Sequence, residues 1–289
     1  MLATFYFYLI SILVVILYTI LGAITTPLKS AFLIDATGHT IIFGMVIGFL
    51  ISHSFNSPLL FIGAVISTLL MNNLNNFLQK YLKLSYDSSI GMSFSLFFCL
   101  GVIILSIFAK HIHFDLDMLL VGNIEYSLYD AIYIFNLFFI PKIVFLLIFF
   151  IILLLYILYI FYYQIIMILF DSEYALIRGI DVKYITSIIL IYASLAIVCS
   201  FNVTGALVLM GIATSSFGLY WNNNSKSFFN FIKKGLTYNI IIALIGCTLA
   251  IYFDFPIAAT ISFLSATFPI LIFIFNEIKV FIYDLIFIK

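Results

Sequence analysis

Long apolar runs constrain this chain more than any other feature. Stretches of about 17 residues or more with almost no charge recur from end to end, each long enough for a helix to cross a bilayer. They lie near residues 5–26, 36–54, 58–79, 89–109, 139–168, 184–202, 205–221, 237–253 and 257–277. The chain has 289 residues, 65% hydrophobic and 8% charged, with a mean hydropathy of +1.29. A soluble domain is nearer a quarter charged and has no core able to hide this much apolar surface. The expectation is an all-α, polytopic membrane helix bundle of eight to nine spans, forming one transmembrane domain over residues 1–289. The seventh and eighth runs are short and broken by Gly, Ser and Asn, as half-helices or re-entrant segments would be.

Composition excludes several classes. The 12 basic and 12 acidic residues balance, so nothing points to nucleic acid. The abundant Phe and Tyr follow AT-rich codon usage and carry no functional weight. Cys99, Cys199 and Cys247 lie in separate apolar stretches without Cys-x-x-Cys spacing and read as small core residues. The N-terminal run lacks a basic leader and is too long for a signal-peptide core, so it reads as a retained span. With the N-terminus outside, ten basic residues (Lys29, Lys80, Lys83, Arg178, Lys183, Lys226, Lys233, Lys234, Lys279 and Lys289) face the cytoplasm, and only Lys110 and Lys142 face outward. That is the bias of cytoplasmic loops.

Against this background "DATGHTIIFG" (35–44) is anomalous. Asp35 and His39 stand four residues apart and share one helix face. A carboxylate at mid-membrane costs about 2.5–3.5 kcal/mol on the insertion scale. Such groups persist where they line a watery path or bind something. A carboxylate oxygen with an imidazole nitrogen suits manganese, iron or zinc. Two ligands are too few for a tight site, but a symmetric pair of chains brings four together. The same two residues also fit a membrane-edge carboxylate beside a histidine bonded to backbone. A neighbouring stripe of small residues, Ala36, Thr40, Gly44 and Gly48, predicts close helix packing.

In this order the residues resemble the permease subunits of ABC transporters that import manganese, zinc or iron. Asp35, Ala36, His39 and Gly44 match an Asp-Ala-x-Ser-His…Pro-Gly pattern, with Gly38 in place of serine and Phe43 in place of proline. Further likenesses are "SYDSSIGMSFSLFFCLGVIIL" (85–105), "HFDLDMLLVGNIEY" (113–126), "FDSEYALIRGI" (170–180), "VTGALVLMGIATSS" (203–216) and "YFDFPIAATI" (252–261). A family proline near Ile212–Ala213 is absent. The resemblance covers about residues 20 to 265.

It implies a transmembrane subunit of an importer in a bacterial cytoplasmic membrane, carrying a divalent cation as cargo and holding no permanent cofactor. A gradient-driven metal carrier or channel is the alternative. No Walker A pattern, G-x-x-x-x-G-K-[ST], occurs, so ATP would be hydrolysed by a separate cytoplasmic subunit. The segment 170–180 is the expected coupling element. A short helix begins after Asp171, Glu173 favours its positive end, Ala175 permits close docking, Arg178 offers an ion pair and Gly179 stops the helix. The family also implies a second permease protomer, identical or paralogous, and an extracytoplasmic metal-binding protein. That protein would dock on the outer loop, where His111, His113, Asp115 and Asp117 alternate. These histidines, and His53 at the outer end of the second span, are weaker candidate ligands. Asn202 and Asn239 are candidates for bonds between helices, and Asp254 for a turn.

Overall fold

The computed structural model describes residues 2–28, 31–54, 57–108, 122–134, 138–220 and 227–287. Among these residues nine α-helices follow in order: α1 Leu2–Thr25, α2 Ala31–Ser52, α3 Pro58–Leu82, α4 Tyr86–Phe108, α5 Lys142–Phe170, α6 Ser172–Ile177, α7 Val182–Tyr220, α8 Phe228–Phe253 and α9 Ile257–Phe287. In hydrocarbon every backbone N–H and C=O needs a partner within the chain, so the apolar runs fold as helices. Among the described residues eight helices are long and apolar enough to cross a membrane. The all-α expectation holds. The connection before α5 adds a 3-10 turn, Glu125–Leu128, and an antiparallel hairpin of Ala131–Ile134 with Phe138–Pro141.

Local chemistry sets the helix ends. The Ser57 hydroxyl accepts from the Leu59 amide and Pro58 opens α3, while Ser227 caps α8 through the Asn230 amide. Asp254 takes a left-handed conformation that ends α8, and the Phe255 amide donates to the Ala250 carbonyl. The turn expected at Asp254 is therefore present.

The small-residue stripe of α2 packs on α3. A Cβ on Gly44 would run into the Gly63 carbonyl, and one on Gly63 into that of Gly44. Ser67 donates to the Thr40 carbonyl across the same contact at 3.1 Å. Neither α2 nor the Ile212–Ala213 stretch is interrupted, in keeping with the missing prolines. The other core surrounds α1, whose Ile10, Leu17, Tyr18 and Leu21 are buried against α5, α7 and α8. Asn239 ties that core together. Its amide donates to Thr19 at 2.9 Å and its oxygen accepts from Ser215 at 2.9 Å, joining α1, α7 and α8. The Asn202 side chain lies outside the described residues.

The short seventh run becomes the second arm of α7. Gly205, at φ 64 and ψ 166, breaks that helix. Before the break the Tyr18 hydroxyl meets Ser200, and after it Ala213 lies against Gly22. On a straight helix Ala213 would stand roughly 20 Å beyond Ser200. Tyr18 and Gly22 are one turn apart, so the chain folds back at Gly205. The return also lets α8 run antiparallel to α1, as the Ser11–Cys247 and Thr19–Asn239 pairs require. Gly122, at φ +73, fits into the break: a Cβ there would overlap Thr204 and Gly205. The turn after it is tethered by Glu125, which accepts from the Ile257 amide at 2.9 Å, and the hairpin by an Asp130–Lys142 ion pair.

Candidate functional site

Asp35 and His39 occupy successive turns of α2, on a face distinct from the stripe that packs on α3. The carboxylate Oδ1 lies 3.7 Å from the imidazole Nε2, with side-chain exposures of 20% and 25%. That gap is too long for a hydrogen bond. It is close to the roughly 3.3–3.6 Å that separates two donors sharing one ion at about 2.0–2.2 Å each in tetrahedral array. The His39 Nδ1 atom is buried and has no hydrogen-bond partner. A histidine bonded to backbone, the alternative open from sequence, is therefore absent from this structure.

The pair lies beside α4. The His39 ring stacks on Phe94 and meets the edge of Phe98, both on α4, while Met92 and Leu96 on the same helix are exposed. Among the described residues no cluster of three or more His, Cys, Asp or Glu is assembled for a metal. A single chain thus presents two donors. Cavities of about 660 and 420 Å³ at the other end of the bundle share Phe7, Asn123 and Glu125.

His53 does not join the pair. It ends α2 in a left-handed conformation, exposed, about 20 Å from His39 by helix rise. His111, His113, Asp115 and Asp117 lie outside the described residues. The sequence reading missed Phe94 and Phe98. Their i, i+4 spacing matches that of Asp35 and His39, but the abundance of Phe masked the signal.

The segment expected to couple to an ATPase forms its short helix. Asp171 caps α6, accepting from the amides of Glu173 and Tyr174 at 3.0 Å each. Gly179, at φ +80, closes the other end, with Gly179 N–H donating to Leu176 and Ile180 N–H to Ala175. Ala175 is buried in the chain's own core, so its small size seats α6 on the bundle. The outward surface includes Tyr174, Leu176, Ile177 and Arg178, with Ile177 83% exposed. Arg178 donates from Nε to the Tyr174 hydroxyl at 2.8 Å and lies over that ring.

The sequence model ABC-3, described as the ABC 3 transport family, matches residues 3–276. The chain is 29% identical over 193 residues to the manganese transport system membrane protein MntD of Bacillus subtilis, covering 67% of this chain and 65% of that one. It is 31% identical over 127 residues to the zinc transport system membrane protein TroD of Treponema pallidum, covering 44% and 35%. It thus spans less than two thirds of the length of either. The manganese transport system membrane protein MntC of Halalkalibacterium halodurans is 27% identical over 268 residues, covering 92% and 85%. Among solved structures, "PsaBC from Streptococcus pneumoniae in complex with Fab" superposes with a TM-score of 0.73 at 20% identity, covering 92% of this chain and 88% of that chain, which is a likeness of fold. This multi-pass membrane chain belongs to the ABC 3 transport family.

Proposed function

We propose that this protein is the permease subunit of an importer that carries a divalent transition metal (manganese, zinc or iron) across a bacterial cytoplasmic membrane. Asp35 and His39 are half of a transient cage, completed by a second permease protomer. An extracytoplasmic metal-binding protein delivers the ion to the outer face, where the N-terminus lies. A separate cytoplasmic ATPase acts on α6. Family membership and the names of the relatives support the cargo class. Charge counting supports the orientation, since it puts α6 and its Arg178 inside.

The observation that carries the reading is the geometry of the pair. Two ionisable side chains stand at chelating separation, partly exposed on a helix flank, and among the described residues no third His, Cys, Asp or Glu joins them. Facing lipid they would be costly; facing a copy of themselves across a watery seam they are donors. Without a cation the two carboxylates repel, and with one their charge is offset, so occupancy biases the gate. Chelation holds the ion only as tightly as four weak donors allow, which suits a cargo that has to leave.

The test is metal accumulation in cells carrying Asp35→Ala or His39→Ala. The expected outcome is loss of uptake with normal amounts of protein in the membrane. Normal uptake in both variants contradicts the assignment.

A further inference from the structure

We infer that Phe94 and Phe98 are positioning residues for His39, holding its imidazole so that Nε2 is the atom offered to the cation. This rests on the reading of Asp35 and His39 as the cation pair.

A metal-binding histidine is ordinarily oriented by its second ring nitrogen, which donates to a carboxylate, a carbonyl or water. That bond is missing here, because Nδ1 is buried without a partner. Two aromatic rings take its place. The Phe94 ring lies 5.8 Å from the imidazole at an interplanar angle of 29°, and the Phe98 ring 5.3 Å away at 71°. One ring blocks tilt and the other blocks rotation about the Cβ–Cγ bond. Phe94 is itself braced edge-on by Phe32, at 5.6 Å and 78°. Phe94 and Phe98 stand one turn apart on α4, so one face of that helix presents both rings. With Nδ1 enclosed, Nε2 on the Asp35 side is the nitrogen left open.

The arrangement has a chemical consequence. A hydrogen-bonded outer partner raises the basicity of a ligating imidazole. Aromatic faces fix its direction without doing so. His39 is therefore well aimed and a weaker donor than a histidine in a permanent metal site, as transfer of cargo requires.

The experiment measures initial uptake of Mn²⁺ and of Zn²⁺, each as the only added metal, in cells carrying the complete transporter. Phe94→Leu and Phe98→Leu are expected to raise KM about 10–100-fold, the usual cost of losing an orienting partner, with the maximal rate retained. Phe94→Tyr and Phe98→Tyr keep the ring and hold KM near the wild-type value. Phe97→Leu removes a ring that packs on Phe43 at 5.3 Å and leaves KM unchanged. Phe94→Met and Phe98→Met carry the same expectation as the Leu variants and cover any failure of those to reach the membrane. Loss of uptake in His39→Ala with wild-type KM in the Leu and Met variants overturns the inference and leaves the cation pair standing. Equal loss of maximal rate in Leu and Tyr variants, with KM unchanged, also overturns it. Normal uptake in His39→Ala removes the cation pair and this inference together.

Discussion

The segment around α6 and the Asp35–His39 pair are built on opposite principles. In α6 the chain finishes its own bonds: Asp171 satisfies two amides at one end, two amide donors close the other, and Ala175 anchors the helix in the core. What remains outward is a knob that includes Tyr174, Leu176, Ile177 and Arg178. The pair on α2 is left unfinished. Its two donors do not hydrogen-bond each other, one ring nitrogen is buried without a partner, and among the described residues no third ligand joins them. A self-satisfied element can transmit a push without changing shape. An unsatisfied one has free energy to gain from whatever completes it; in the proposed function that is a cation and a second copy of the chain.

Substitutions separate the two principles by size of effect. The largest is expected at the packing stripe that holds the unfinished site in place. Gly44→Leu or Gly63→Leu forces α2 from α3 and costs about 3 kcal/mol or more, read as loss of monodisperse protein after detergent extraction. An intermediate effect is expected at Asn239, a polar group whose bonds are complete inside the bundle. Asn239→Ala removes the bonds to Thr19 and Ser215 and costs about 1–2 kcal/mol, seen as a lower melting temperature with protein still in the membrane. The smallest structural effect is at α6. Asp171→Ala removes one cap for about 1 kcal/mol and leaves abundance near normal, while ATP-driven uptake falls because the knob is no longer held. Unchanged uptake in that variant would mean that α6 needs no rigidity to act.

The sequence made the finished element the easier one to read. A cap, a Gly stop and a charge pattern are local signals, and the helix from Ser172 to Ile177 follows them closely. The apolar runs were legible for the same reason, since bilayer thickness sets their length. The small stripe announced a close contact, but not that Gly63 would be its partner. Long-range features were hidden. The fold-back at Gly205 depends on Gly122 filling the break from more than eighty residues away in the chain. The aromatic clamp on His39 requires knowing that α4 lies beside α2, and in a Phe-rich chain no single Phe stands out. Ala175 shows a subtler limit: the need for a small residue was visible, but not that the surface it meets belongs to its own chain.

The central claim is that Asp35 and His39 from two chains enclose one cation. Pulsed EPR of the purified, Mn²⁺-loaded transporter tests it directly, because the manganese signal carries the coupling of any ligated imidazole nitrogen. The account predicts one tightly held ion for each pair of permease chains, with nitrogen coupling that disappears in His39→Ala. Bound manganese with no nitrogen coupling in the wild-type protein, or with coupling unchanged in that variant, would contradict it.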